Sequence, residues 1–273
     1  FSFDLWEKHR STWRHFRHVF QTPLSATFQR VMWPDIAWVT ALSASLSYYN
    51  AFIVPTSPLC ISHIPLTITG TALGLLLVFR VNNSNARFDA ARNTIGSIIN
   101  TCRAIARISI TKLELQDPDF CSEMMCLVRA FPRVADEAEE ELVRRLKKTL
   151  GDDKAAYILQ ARNRPLRVVQ MMSIVGTNAN LDPVISNRLD REIRALEQAL
   201  GRCERILRTP IPTSYTRHTS RFLSVWVSTI PFAFWPVFGF YGTAPASIVT
   251  AFFMLAIEDI AVVFEEPFDV MPL

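Results

Sequence analysis

Two stretches of this chain, Ile36 to Phe79 and Phe222 to Ile257, contain no Asp, Glu, Lys or Arg, and they bracket a densely charged middle. Uncharged apolar blocks of this length predict membrane-spanning helices, because a helix needs about 17–25 residues to cross the hydrocarbon layer. Pro55, Pro58 and Pro65 divide the first block, and Gly239, Gly242 and Pro245 divide the second. Four spans in a two-plus-two arrangement are therefore expected. The first covers about Ile36 to Val54, and the second starts after His63. The third covers Phe222 to Phe238, and the fourth begins after Pro245 and ends at Glu258 and Asp259. Trp33, Trp38, Tyr48 and Tyr49 stand near the ends of the first span, where amphipathic rings anchor at the interfaces. Pro65 sits in the first turn of the second, where a missing amide hydrogen does no harm. Pro231 and Pro236 predict a kinked third helix.

From Arg80 to Arg221 the apolar residues keep helical spacing. Ile95, Ile98, Ile99, Cys102, Ile105, Ala106 and Ile108 form one stripe, and Leu189, Ile193, Leu196, Leu200 and Cys203 another. The pattern predicts an all-α membrane protein with four transmembrane helices and a helical bundle outside the bilayer. Its divisions are an amphipathic N-terminal arm over 1–35, spans one and two over 36–79, the helical domain over 80–221, spans three and four over 222–260, and an extension over 261–273. The arm alternates Phe3, Trp6, Trp13, Phe16, Phe20 and Phe28 with Lys8, Arg10, Arg14, Arg17 and Arg30, which suits either a headgroup-zone helix or a packing arm. Acidic Asp136 to Glu141 followed by basic Arg144 to Lys148 predicts a solvated helical face with i,i+4 pairs.

Charge orients this arrangement. The formal net charge of +4 divides into +2 over residues 1–35, +7 over Arg80 to Arg221, and −5 over Phe222 to Leu273. The links near 55–63 and 239–245 carry no charge, so the termini and the basic middle belong on the positive side, cytosol or stroma. The five cysteines, Cys60, Cys102, Cys121, Cys126 and Cys203, show neither a CxxC pair nor zinc-ligand spacing, and are expected to be reduced structural thiols. A chain opening at Phe1 says nothing about targeting.

Enzyme signatures are missing: there is no GxxxxGK[ST], HExxH or GxSxG. His15 and His18 fall on the amphipathic arm, where interfacial roles outweigh metal ligation. The start of the second span is unusual. Thr67, Thr69, Gly70, Thr71 and Ala72 make a small, weakly polar face, while Ile64, Ile68 and Leu75 recur at near-helical spacing. Such a face serves either a tight helix contact through Gly70 and Gly74 or the lining of a narrow pore.

Three runs carry a family likeness: FRVNNSNARFDAAR from Phe79 to Arg92, CERILRTPIP from Cys203 to Pro212, and IEDIAVVFEEPFD from Ile257 to Asp269. Through them the chain resembles the bestrophin family, nearest its bacterial and plant or algal branches. The resemblance implies a homopentameric anion channel with one central pore. It places a neck of three apolar residues, one turn apart, at Ile64, Ile68 and Ala72, and a second constriction at Ile185 within Val184 to Leu189. Animal members carry two phenylalanines in the neck, and the smaller groups here imply a wider or less gated one. Val270, Met271, Pro272 and Leu273 replace the acidic run that clasps calcium in animal members, so the six to eight oxygen ligands that ion takes, roughly, are not expected here. The partners implied are further copies of the chain, the lipid bilayer and small monovalent anions, with no nucleic acid and no cofactor. The plant and algal likeness implies a chloroplast thylakoid membrane, with plasma membrane as the alternative.

An anion entering a membrane loses hydration, which a pore offsets with positive potential, hydrogen-bond donors or a short dry section. Arg80, Arg87 and Arg92, where the second helix leaves the bilayer, are the expected anion vestibule, and Thr67, Thr69 and Thr71 the expected donors at the neck. Chloride is the expected ion, with nitrate or bicarbonate as alternatives. Two rivals remain: a secondary transporter, which needs a mid-membrane site with a coupling charge, and a membrane-anchored scaffold that passes no ions.

Overall fold

The computed structural model describes residues 10, 11, 13, 32–136, 139–179 and 181–270. Most of the N-terminal arm, with His15 and His18, lies outside the described residues. Among those residues the chain is helical, with no strand. It divides into two compact units, residues Phe1–Ala86 with Ile211–Glu266, and Arg87–Pro210 with Pro267–Leu273.

The first unit contains the uncharged blocks. Helix α1 (Ala37–Tyr48) is extended at both ends by π-helical turns, Met32–Ile36 and Tyr49–Ile53. A non-helical link follows, and buried Asn50 holds it: its amide donates to the Leu59 carbonyl at 3.1 Å and its oxygen accepts from the Leu59 N–H at 2.8 Å. Helix α2 (His63–Ile108) begins in this unit and runs without interruption into the second.

The second apolar block was expected to divide through a link at 239–245. It does divide into two helices, but through a single residue: within Thr213–Glu265 only Gly239 leaves helical geometry, at φ 60° and ψ −158°. Only glycine holds that conformation readily. Gly242 supplies the room for this corner, since a Cβ there would lie 2.8 Å from the Phe238 Cβ. The element doubles back at Gly239: Ser220 and Glu258, nineteen residues to either side, are hydrogen-bonded to each other. Each arm is about 28 Å long at 1.5 Å per residue, close to the ~30 Å hydrocarbon thickness. The chain remains helical through Pro231, Pro236 and Pro245, as apolar surroundings favour when neighbouring helices absorb the lost amide bond.

The core of this unit joins Val39 of α1, Leu73 and Leu77 of α2, and Leu223, Trp226, Ile230, Ala251 and Leu255 of the hairpin. Trp38 donates from Nε1 to the Ser228 hydroxyl at 3.2 Å. The helix α2 and the hairpin are each long and apolar enough to cross a bilayer.

In the second unit α2 is followed by a π-helical turn, Ser109–Leu113, and helices α3 (Pro118–Asp136), α4 (Glu139–Leu150), α5 (Asp152–Leu159), α6 (Arg164–Asn178) and α7 (Pro183–Arg208). With the hairpin counted as α8, a final short turn, α9 (Pro267–Val270), closes the described chain. Asn163 and Asp182 cap α6 and α7 by accepting from Leu166 N and Val184 N, and Pro183 opens α7 where no amide hydrogen is needed. The core gathers Ile105 and Ile108 of α2, Met124, Leu127 and Phe131 of α3, Leu142 and Leu146 of α4, Val168 and Met172 of α6, and Leu189, Ile193 and Leu196 of α7. On α4 Glu141 pairs with Arg145 at 2.5 Å and with Arg144 at 3.7 Å, the helical pairing that the charge pattern predicts.

Candidate functional site

The first turns of α2 present two opposite faces. Leu66 and Gly70 are half-buried against α8, and Leu73 and Leu77 are fully buried. On the other face Ile64 is 59% exposed and Ile68 68%, Ala72 is exposed, and Leu75 and Phe79 continue the stripe. The three residues expected at a neck thus share one open, uncharged helical face within this unit.

The threonines beside them bond within their own helix. Thr67 donates its hydroxyl to His63 O at 3.0 Å, Thr69 to Pro65 O at 2.7 Å, and Thr71 to Thr67 O at 3.1 Å. Each hydrogen returns to the carbonyl one turn back, the local bond a helix offers to threonine in apolar surroundings. In the single copy these hydroxyls are therefore satisfied within their own helix. Gly70 provides the close helix contact anticipated for the small face, against Trp226, whereas Gly74 meets nothing within 4 Å.

Arg80 stands one residue beyond the first uncharged block and Glu258 one residue beyond the second. The Arg80 guanidinium reaches Glu258 Oε1 at 2.5 Å and Glu265 Oε2 at 4.0 Å, and donates to Ser220 Oγ at 3.2 Å. Arg80 is only 2% exposed. It is therefore not a vestibule charge: a buried guanidinium with no carboxylate beside it is too costly, and α8 supplies two. Glu258 and Glu265 lie about two turns apart on α8, which stays helical to Glu265.

Arg87 is likewise occupied. In the second unit it donates to Thr209 O at 2.7 Å and to Ile206 O, satisfying carbonyls at the C-terminal end of α7 that have no helical partner. Arg92 alone of the three offers its charge to water, with its side chain 68% exposed and Asp89 at 3.9 Å. It lines a polar groove of about 620 Å³ with Asn93, Ser97, Asn100, Thr101 and Glu192. Ile185 is half-buried against the core of the second unit, and its neighbour Val184 is 76% exposed.

The five cysteines are unpaired. Burial pushes the Cys102 thiol up to about 11 and raises Cys121 and Cys203 also. Among the described residues no three His, Cys, Asp or Glu side chains gather as a metal site.

Sequence inspection missed Trp226 and Ser220, and treated Glu258 and Glu265 only as charges leaving the membrane. The available signal was the placement of Arg80 and Glu258 immediately after the two uncharged blocks.

Long apolar helices with unpartnered apolar faces, tied together by a buried ion pair at the edge of the uncharged blocks, define an all-helical integral membrane protein. Residues 5–273 match the family described as Bacterial/Fungal Bestrophin protein. The chain belongs to the bestrophin family. It is 31% identical over 285 residues to the chloroplastic voltage-dependent chloride channel 2 of Arabidopsis thaliana, an alignment that covers 100% of this chain and 69% of that one. It is 29% identical to a voltage-dependent anion channel-forming protein of Nostoc sp., over 82% of this chain and 74% of the relative. Its fold is similar to the crystal structure of a bacterial bestrophin homologue from Klebsiella pneumoniae, with a TM-score of 0.76 at 20% identity over 86% of this chain and 88% of that one.

Proposed function

We propose that this protein is an anion-selective channel that passes chloride passively, with five copies placing their α2 helices around one axis and four membrane crossings in each copy. The carrying observation is the exposed, uncharged stripe of Ile64, Ile68 and Ala72 opposite a buried face of the same helix. Apolar surface of this kind is left open in one copy and finds its partners in others or around a water-filled axis. The names of the Arabidopsis and Nostoc relatives support an anion as the permeant species, and support voltage dependence. The Arabidopsis relative supports a chloroplast setting, in which the thylakoid membrane would place the basic domain, residues 80–221, in the stroma.

With no fixed charge from Ile36 to Phe79, the neck has nothing to hold an ion tightly. Permeability then follows ease of dehydration, with iodide and nitrate ahead of chloride and bicarbonate also admitted. Ile185 is proposed as the second constriction. Gating without calcium is part of this proposal.

Bi-ionic reversal potentials of the purified protein in planar bilayers, with and without calcium, test this function. Anion currents in the order iodide, nitrate, chloride, unchanged by chelation, are expected. Preference for potassium over chloride, or fluoride or sulfate ahead of chloride, overturns the proposal. Silence of intact assemblies at both polarities favours a scaffold.

A further inference from the structure

Three side chains of α8 reach into α2. Tyr215 donates its hydroxyl to Leu76 O at 3.2 Å, Arg80 is held by Glu258, and Trp226 donates from Nε1 to Leu66 O at 3.2 Å. The last differs from the others in acting on the turn that carries Ile68. Trp226 is 8% exposed, and its ring fills the space beside Gly70: a Cβ on Gly70 would lie 2.9 Å from Trp226 Cζ2, closer than side chains approach one another. The indole is therefore held along its Nε1–Cζ2 edge, by a hydrogen bond to a backbone carbonyl and by close approach to a residue that has no side chain.

Helical geometry gives this contact its leverage. Ile68 lies two residues from both Leu66 and Gly70, about 200° around the helix from each. A displacement of the Leu66–Gly70 face along the line to Trp226 is therefore passed almost directly to Ile68 on the far side. The backbone between them is a rigid helical turn, so the movement is not absorbed by rotamer changes.

We infer that Trp226 is the positioning residue for the neck: its ring against Gly70 and its indole N–H on Leu66 O set how far Ile64 and Ile68 stand from the pore axis. This rests on the proposal that these isoleucines line the pore. Trp226 touches no ion, and it acts through the helix it holds. The Gly70–Trp226 contact is thus a calibre setting in which larger volume at either member narrows the neck and smaller volume widens it.

Single-channel recording of full-length protein carrying Gly70→Ala, Trp226→Phe and the double change tests the inference, with assembly checked by gel filtration. Gly70→Ala forces α2 away from the ring, and conductance is expected to fall by about twofold. Trp226→Phe removes the donor and part of the ring and is expected to raise conductance and bring the iodide-to-chloride permeability ratio closer to one. The double variant is expected to return toward the parent value, which a merely destabilised protein would not do. Ile68→Ala separates the two levels of the argument. If it alters conductance while Gly70→Ala and Trp226→Phe do not, the role of Trp226 is overturned and the neck stands. If none of them alters it, the neck itself is misplaced. Should Gly70→Ala fail to assemble, Trp226→Phe decides alone, and unchanged conductance and selectivity overturn the inference.

Discussion

Arg80 and Glu258 are 178 residues apart in sequence and meet at 2.5 Å, with side chains only 3% and 15% exposed. Each is the first charged residue after a long uncharged block, so the pair joins α2 to the returning arm of the α8 hairpin. Removing one partner leaves the other charge buried, which costs about 3–5 kcal/mol. Arg80→Met is therefore expected to lower thermal stability in detergent severely. Arg80→Met with Glu258→Leu should recover part of the loss, because Glu258 is no longer left unpaired, while Glu265, 4.0 Å from Arg80, remains as a residual carboxylate. Thermal unfolding followed by gel filtration measures both.

Ile68 has the more exposed side chain of the two isoleucines on the stripe. Truncating it removes apolar volume from the proposed neck without touching the core. Ile68→Ala is expected to raise single-channel conductance or open probability by about twofold, with gel-filtration behaviour unaltered. An unchanged single-channel record counts against the neck.

The arginines of α2 should separate by role. Arg92 is solvated, so Arg92→Ala is expected to change stability by no more than about 0.5 kcal/mol. It should reduce chloride conductance more at about 20 mM salt than at about 1 M, since screening weakens its field. Arg87→Ala instead frees two carbonyls at the end of α7 and is expected to destabilise by about 1.5–3 kcal/mol, hydrogen bonds from a charged donor being stronger than neutral ones. Equal salt dependence in both variants would contradict this division.

Cys102 and Cys60 should differ in labelling. The Cys102 thiol is pushed from 9.0 to about 11 by burial, whereas Cys60 is exposed in the link after α1. At pH 7.5 less than about 0.1% of Cys102 is thiolate, so a maleimide should modify Cys60 and spare Cys102. Peptide mass spectrometry reads the difference. The raised value in the folded state means that the neutral thiol is favoured by folding. Its contribution is full below about 9 and is lost as pH rises toward 11.

Much of this architecture is written in the one-dimensional pattern. The uncharged blocks mark the apolar helices, and the stripe of Leu189, Ile193, Leu196 and Leu200 is the buried face of α7. What the pattern does not carry is which polar groups find one another. Arg80 and Arg92 look alike in sequence, yet one is sealed against Glu258 and the other faces water. The hydroxyls of Thr67 and Thr71 bond to the preceding turn, a local pairing that the pattern of residue types does not reveal. Three candidate breakers at 239–245 suggest a link, but a single positive-φ glycine suffices when its neighbour Gly242 leaves room for Phe238. The Trp226 contact was invisible for the same reason: a tryptophan in an apolar block has no distinguishing neighbours in sequence.

The corner at Gly239 also bears on how the protein is made. With one non-helical residue at the apex and no charge from Phe222 to Ile257, the two arms of α8 have no hydrophilic loop to drag through the lipid. They can enter the bilayer during synthesis as a preformed pair, leaving Arg221 and Glu258 together on the side from which they came.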